Sequence, residues 1–482
     1  MNYGIVLKIL GNILTVESLF MLPSLFISLY MKEGDTKAFI ITILITASIG
    51  LILSRNKRYK NVINAKEGLA IVALGWFFMS LFGALPLYLS GNIATYIDAV
   101  FETVSGFTTT GATVITNVEV LPHGILFWRS FTHWIGGMGI LVFTLALLPA
   151  LGIGGFQIFK AESPGPIAGK IAPRVRDTAK ILYVTYFTIT IIQVILLKIG
   201  GMSLFDSFVY TFGTVGTGGL ATKGASVGAY NSSYIHIVIG IFMLISGVNF
   251  SLYYSMFHGK IKDALKDEEL RLYFGIVFVA IICIGINLYM TSYSKLGLAF
   301  RDSFFQVSSI ITTTGYTTAN FDVWPSFSKA ILLLLMFIGG SAGSTAGGMK
   351  VIRILVLFKL IKREILKLFH PRAVIPIKTN GKILANETIA GINSFMSLYV
   401  VIFALSTILI TLEGVDLVSA ASSVIATLGN IGPGLGFVGP TSTFNGYSQI
   451  AKMFFSLLML LGRLELFTII ALLAPRNWRK EI

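Results

Sequence analysis

The sequence predicts an all-α, polytopic membrane protein built around a fourfold internal repeat. Three observations predict it. Of 482 residues, 55% are hydrophobic and only 12% are charged, against about 25% charged in a soluble globular protein, and the mean hydropathy is +0.81. Apolar stretches of about 20 residues, the length that crosses a bilayer, recur along the whole chain. Between them a shorter pattern of Asp, apolar helix, Thr and Gly returns at regular intervals.

The predicted spans are 4–30, 37–54, 67–90, 123–150, 179–200, 232–257, 272–292, 327–369 (interrupted), 387–412 and 447–474. Four apolar segments, 98–110, 204–214, 301–312 and 416–428, are too short to cross and run into Thr and Gly rather than a charged loop. They read as re-entrant, because irregular backbone at membrane depth survives only inside protein or beside water.

Lys and Arg number 37 against 22 Asp and Glu, a net charge of +15. The basic residues cluster after alternate spans. Arg55, Lys57, Arg58, Lys60 and Lys66 follow the second; Lys160, Lys170, Arg174, Arg176 and Lys180 follow the fourth; Lys260, Lys262, Lys266 and Arg271 follow the sixth. Nine more run from Lys350 to Lys382, and Arg476, Arg479 and Lys480 lie in the last stretch. All fall on one side, which is therefore cytoplasmic, and loops 111–122 and 432–446 opposite carry none. Topology accounts for most of this charge, so no nucleic-acid partner is implied; an acidic partner or anionic lipid could dock there. The single cysteine, Cys283, excludes a disulfide framework and a cysteine-rich metal site. Asn12 and Glu17 interrupt the first apolar run, so no cleavable signal is expected.

The repeat has an internal ruler. Asp98 lies 13 residues before Gly111, Asp206 lies 13 before Gly219, and Asp302 lies 13 before Gly315. The fourth unit, DLVSAASSVIATLGNIGPG, is degenerate. Counting 13 from Asp416 reaches Gly429, whereas counting back 13 from Gly432 reaches Ser419. Gly432 is preferred because Ala426 to Gly432 keeps the step from Ser105 to Gly111. Each Asp reads as the N-cap of a short helix; a second reading has the Asp residues also concentrate cations at an outer vestibule. Either way the helix C-termini face the Thr-Gly turns. Four such ends, each with about half a negative charge, would favour a cation on a common axis.

The turns have the chemistry for a dehydrated cation such as potassium. Shedding hydration water requires protein oxygens, which rings of backbone carbonyls supply. Gly permits the backbone conformations needed, and Thr adds a hydroxyl on a stiff side chain. The candidate cation-binding residues are Thr109, Thr110 and Gly111; Thr217, Gly218 and Gly219; Thr313, Thr314 and Gly315; and Asn430, Ile431 and Gly432. One TTTG alone would read as a capped helix end; four copies placed between spans argue for a pore with unequal walls.

Two candidate gating elements follow. The eighth span contains Gly339, Gly340, Gly343, Gly347 and Gly348, and each Gly costs about 1 kcal/mol in a helix. This stretch reads as a flexible loop beneath the turns, or as close helix packing through small residues, with Lys350 beyond it facing the cytosol. Arg463 lies deep in the last span, where a charge costs at least about 2.5 kcal/mol unless it meets protein or water. It either lines the pore and repels cations or clamps helices together. Glu465 falls on another face of that helix, and Arg129, near the outer end of its span where it could snorkel outward, reads as structural.

SGFTTTGAT (105–113), TVGTGGLAT (214–222), SSIITTTGYTT (308–318) and NIGPGLG (430–436) resemble the four filter loops of the Trk/Ktr/HKT potassium-uptake superfamily. HWIGGMGILVF (133–143), GGSAGSTAGGMK (339–350) and LLGRLELFT (460–468) resemble its TrkH branch. The resemblance covers nearly the whole chain. It implies four pseudo-repeated membrane–pore–membrane units around a central pore, plus two extra N-terminal transmembrane helices. The divisions would be 1–60 for those helices, then repeats 61–152, 153–260, 261–370 (its last helix interrupted at 339–349) and 371–482. It further implies potassium uptake through a four-loop selectivity filter in a bacterial or archaeal cytoplasmic membrane. A homodimer in membrane lipid would be gated by the Gly-rich loop and Arg463 under a cytosolic, TrkA-like nucleotide-binding ring subunit. The transported ion would be K+, with no organic cofactor on this chain and nucleotide only on the partner.

The competing reading is a secondary transporter coupling another cation or small solute to H+ or Na+. Against it, all the short helices enter from one side, so the repeats are parallel rather than inverted. No HExxH, Walker A or GxSxG motif is present, so an enzyme is not expected. His133 reads as a packed, hydrogen-bonded group.

Overall fold

The computed structural model describes residues 2–55, 63–139 and 175–473. In order, the helices are α1 (Tyr3–Phe20), α2 (Leu22–Met31), α3 (Thr36–Ser54), α4 (Ala65–Gly83), α5 (Leu85–Leu89), α6 (Tyr96–Phe107), α7 (His123–Gly137), α8 (Val175–Ile199), α9 (Leu204–Val215), α10 (Ser233–Ser246), α11 (Phe250–Phe257), α12 (Ile261–Leu265), α13 (Glu268–Thr291), α14 (Leu296–Ile311), α15 (Ser326–Ile338) and α16 (Val351–Phe369). A hairpin of β1 (Lys378–Thr379) and β2 (Lys382–Ile383) precedes α17 (Asn386–Thr411), α18 (Leu417–Leu428), α19 (Gln449–Arg463) and α20 (Leu466–Leu473). The protein is thus an all-α, multi-pass membrane protein. Residues 140–150 of the fourth predicted span lie outside the described residues. So do Lys57, Arg58, Lys60, Lys160, Lys170, Arg174, Arg476, Arg479, Lys480 and the predicted division at 152, and nothing is described of the Arg176 side chain.

Six described helices, or seven counting one bent pair, are long and apolar enough to cross a membrane. Several predicted spans are broken instead. The stretch 232–257 reads as one apolar run, yet α10 and α11 meet at 94°. Asn249 starts a new helix by accepting from the Ser251 N–H at 2.9 Å, and the Gly247 carbonyl left free by the break accepts from Ser341 N at 2.9 Å. The last span breaks at Leu464 and Glu465, the latter at φ 56°. Glu465 therefore sits in a kink between α19 and α20, not on a helix face.

The four short helices α6, α9, α14 and α18 are mostly buried. Their caps differ from expectation. Thr95 caps α6, accepting from Asp98 N at 3.1 Å, and Ser203 caps α9, accepting from Asp206 N at 3.0 Å. Asp98 and Asp206 occupy the third helical position, where each carboxylate accepts from the cap hydroxyl and still favours the positive helix start. α14 begins earlier, so Asp302 lies inside it, held by Tyr293 Oη and Arg301. In α18 Asp416 is the cap, accepting from Val418 N and Ser419 N at 3.1 Å, and Ser419 takes the third position. Asp98 is also no free vestibule anion: Lys452 of α19 donates to it at 2.8 Å.

Ahead of the first short helix, α1 and α3 pack backbone to backbone, since a Cβ on Gly11 would lie 2.6 Å from the Gly50 carbonyl oxygen. Ile40, Ile41, Leu44 and Ile52 of α3 are exposed, an apolar face suited to lipid.

Candidate functional site

Each short helix ends in the same turn. Two hydrogen bonds close it: Thr109 N to Gly106 O and Thr110 N to Ser105 O in the first unit, at 3.1 and 2.9 Å. The second unit has Thr217 N to Thr214 O and Gly218 N to Gly213 O; the third, Thr313 N to Ile310 O and Thr314 N to Ser309 O. The fourth has Asn430 N to Thr427 O and Ile431 N to Ala426 O, at 3.2 and 2.8 Å. This is a Schellman motif, which ends a helix through one left-handed residue, usually Gly. Here that residue is Thr109, Thr217, Thr313 or Asn430, at φ 55–57°. A β-branched residue there is an outlier costing about 1–3 kcal/mol. Two residues on, Gly111, Gly219, Gly315 and Gly432 have φ 77°, 77°, 81° and 96°. In geometry Gly432 is thus the fourth equivalent, while Gly429 is the right-handed C-cap of α18.

The four turns close a circle. A Cβ on Gly111 would collide with the carbonyl oxygen of Gly218, one on Gly219 with that of Thr314, and one on Gly315 with that of Ile431. One on Gly432 would lie 2.7 Å from the carbonyl oxygen of Thr110. Each glycine therefore abuts the residue preceding the next unit's glycine, and the fourth returns to the first. All twelve candidate cation-binding residues lie in this ring. On the side that charge makes external, a cavity of about 130 Å³ touches all four glycines.

The walls are unequal. Thr110 Oγ1 pairs with Thr108 Oγ1 at 2.8 Å, as Thr314 does with Thr312. Asn430 Nδ2 donates to Thr110 Oγ1 and to Met459 O. Thr217 Oγ1 donates to Gly216 O, while Thr109 Oγ1 is buried with no hydrogen-bond partner. Behind the first turn, Glu102 accepts from Arg129, Thr113 Oγ1 and Val114 N. Arg129 does not snorkel outward: it is buried, because this carboxylate compensates its charge inside the protein. Sequence reasoning missed Glu102; its signal was a second acid, mid-way along a short helix placed at membrane depth. His133 Nδ1 faces Gly106 O at 2.8 Å, and its Nε2 accepts from Leu220 N at 3.2 Å, joining the first two units.

Beneath the ring lies the loop 339–350, with Gly339, Gly343 and Gly348 at positive φ. Gly347 N donates to Thr313 Oγ1 at 2.7 Å. Thr345 Oγ1 donates to Val215 O and Ser246 O. Gly340 O accepts from Val351 N. Arg463 is a carbonyl clamp, donating to Thr345 O of the loop at 2.7 Å and to Gly136 O and Gly137 O of α7 at 2.6 and 2.8 Å. Lys350 does not face the cytosol; it is buried, its ammonium bonded to Ala346 O. Between the loop, Arg463 and Glu465 lies a cavity of about 10 Å³. The ring meets a cavity on its outer side, and among the described residues the loop packs against it on the other.

A helical bundle with four re-entrant segments meeting in one ring is the architecture of a membrane transport protein. The sequence matches the TrkH family, described as cation transport protein, over residues 35–480. The chain belongs to this family. It is 40% identical to "Trk system potassium uptake protein TrkH" of Escherichia coli (strain K12) over the full length of both chains. It is 36% identical to "Trk system potassium uptake protein TrkG" of the same organism, over 98% of each. The crystal structure of the potassium transporter TrkH from Vibrio parahaemolyticus superposes with a TM-score of 0.89 at 38% identity, covering 99% of this chain and all of that one.

Proposed function

We propose that this chain is a potassium-uptake subunit of the cytoplasmic membrane, a transporter and not an enzyme, in which K+ passes through the ring of four turns. The closed circle from Gly111 through Gly219 and Gly315 to Gly432 carries this reading, since it sets four backbone strands around one axis. The names of the relatives support potassium as the cargo. An inward-negative potential favours a monovalent cation by about 2.3 kcal/mol per 100 mV, so accumulation needs no hydrolytic site on this chain. The loop 339–350 is the gate, and Arg463 holds it shut. The repeat divisions, the homodimer and a cytosolic nucleotide-binding partner are parts of the same proposal, supported by the family resemblance.

Rubidium flux into sealed vesicles, competed with sodium, tests the function. Uptake that potassium displaces far better than sodium is expected, and absence of rubidium uptake would refute it. Arg463→Ala removes the clamp between loop and α7. Flux should rise about threefold, corresponding to roughly 0.7 kcal/mol of lost closure, with assembly preserved. A misfolded product would instead make Arg463 purely structural.

A further inference from the structure

We infer that Glu269 is a positioning residue of the gate, a latch that closes the loop into a ring and is itself set by the cytoplasmic hairpin. This rests on the gating reading above. Glu269 lies at the start of α13, 7% exposed. One of its carboxylate oxygens, Oε1, accepts from Ala342 N at 2.7 Å and Ile352 N at 3.1 Å. One amide lies within the gating stretch, near its start, and the other just past its end in the first turn of α16. A single oxygen thus holds both arms of the loop together. The loop cannot withdraw from beneath the ring without breaking both bonds.

The residues just before Glu269 tie it to the cytoplasmic surface. Asp267 caps α13, accepting from Leu270 N at 2.9 Å. Asn380, at the hairpin tip, donates to Asp267 Oδ2 at 2.7 Å and accepts from Glu268 N at 2.9 Å. Lys359 of α16 pairs with Glu268 and donates to Lys378 O at 2.6 Å. Ile377 and Leu384, flanking the hairpin, pack with Val356 and Leu360 of α16. The hairpin therefore grips α13 at its cap and α16 two to three turns beyond the loop. Pulling the hairpin away would move the first turn of α13, and Glu269 with it. A regulatory partner bearing on this basic surface would have a mechanical route to the gate.

The test uses the full-length protein in sealed vesicles, with rubidium flux and deuterium uptake of the 339–352 segment measured together. Glu269→Ala should raise flux about fivefold, equivalent to roughly 1 kcal/mol of lost latching. The half-saturating rubidium concentration and the sodium competition should not change, and the segment should exchange faster. Glu269→Gln, which keeps an acceptor oxygen, should show a smaller rise in both. Asn380→Ala, at the exposed hairpin tip, should raise both without touching the loop, and it decides the matter if Glu269→Ala fails to fold. Folded variants with wild-type flux, or with unchanged exchange of the segment, would overturn the latch. A wild-type protein without rubidium flux would refute the transport function instead, and the exchange data would still decide whether Glu269 holds the loop.

Discussion

Gly315→Ser should lower potassium-over-sodium discrimination by at least about tenfold, which needs only about 1.4 kcal/mol of differential binding. Gly315 has φ 81°, a region that costs an L-residue about 1–2 kcal/mol. Its Cβ would overlap the Ile431 carbonyl oxygen and lie 2.8 Å from Pro433 Cδ. Neither neighbour is the far end of a flexible side chain, so the contact is relieved only by displacing the third or fourth turn. A displaced turn alters the spacing of the oxygens that replace water around the ion, and sodium, which is smaller, is no longer rejected on fit. Competition of rubidium uptake by sodium reads this directly. Unchanged competition in a folded variant would place Gly315 outside the filter.

Arg129→Ala should destabilise the protein by about 3–5 kcal/mol, because it strands a buried carboxylate. Glu102 is fully enclosed behind the first turn and has Arg129 as its charge partner, with Thr113 Oγ1 and Val114 N as neutral donors. Thermal unfolding in detergent checks the prediction. The double change Arg129→Leu with Glu102→Leu should recover much of the loss, since apolar replacement of a buried pair is often neutral. A single variant as stable as the wild type would mean that Glu102 is neutral in the fold.

The repeat was legible because its signals are local: a glycine forced to positive φ, a threonine beside it, and an acid at fixed distance upstream. The ruler survived even where its meaning changed. Asp98 and Asp206 are third-position residues because Thr95 and Ser203, three places earlier, reach the helix start first. In the fourth unit the roles are exchanged between Asp416 and Ser419. The loop at 339–350 was legible from glycine density. The bend after Ser246 was not, since Gly247 and Val248 continue an apolar run and the carbonyls of Ser246 and Gly247 are satisfied by a loop distant in sequence. Likewise LLGRLELF reads as one helix, and the pairing of Glu465 with Arg353 at its kink is a tertiary contact. The burial of Lys350 and the double grip of Glu269 depend on contacts that no periodicity encodes. The left-handed threonines were unexpected as well: intrinsic preference would place Gly there, and the hydroxyl of Thr313 instead receives the gating loop.

The most direct measurement of the central claim is the position of a heavy alkali ion in the protein. Rubidium or thallium, located by anomalous scattering, should lie on the axis of the ring, among the backbone oxygens of Thr110, Gly218, Thr314 and Ile431. Ions found only away from that axis, or a ring without ions at concentrations that saturate uptake, would contradict the account.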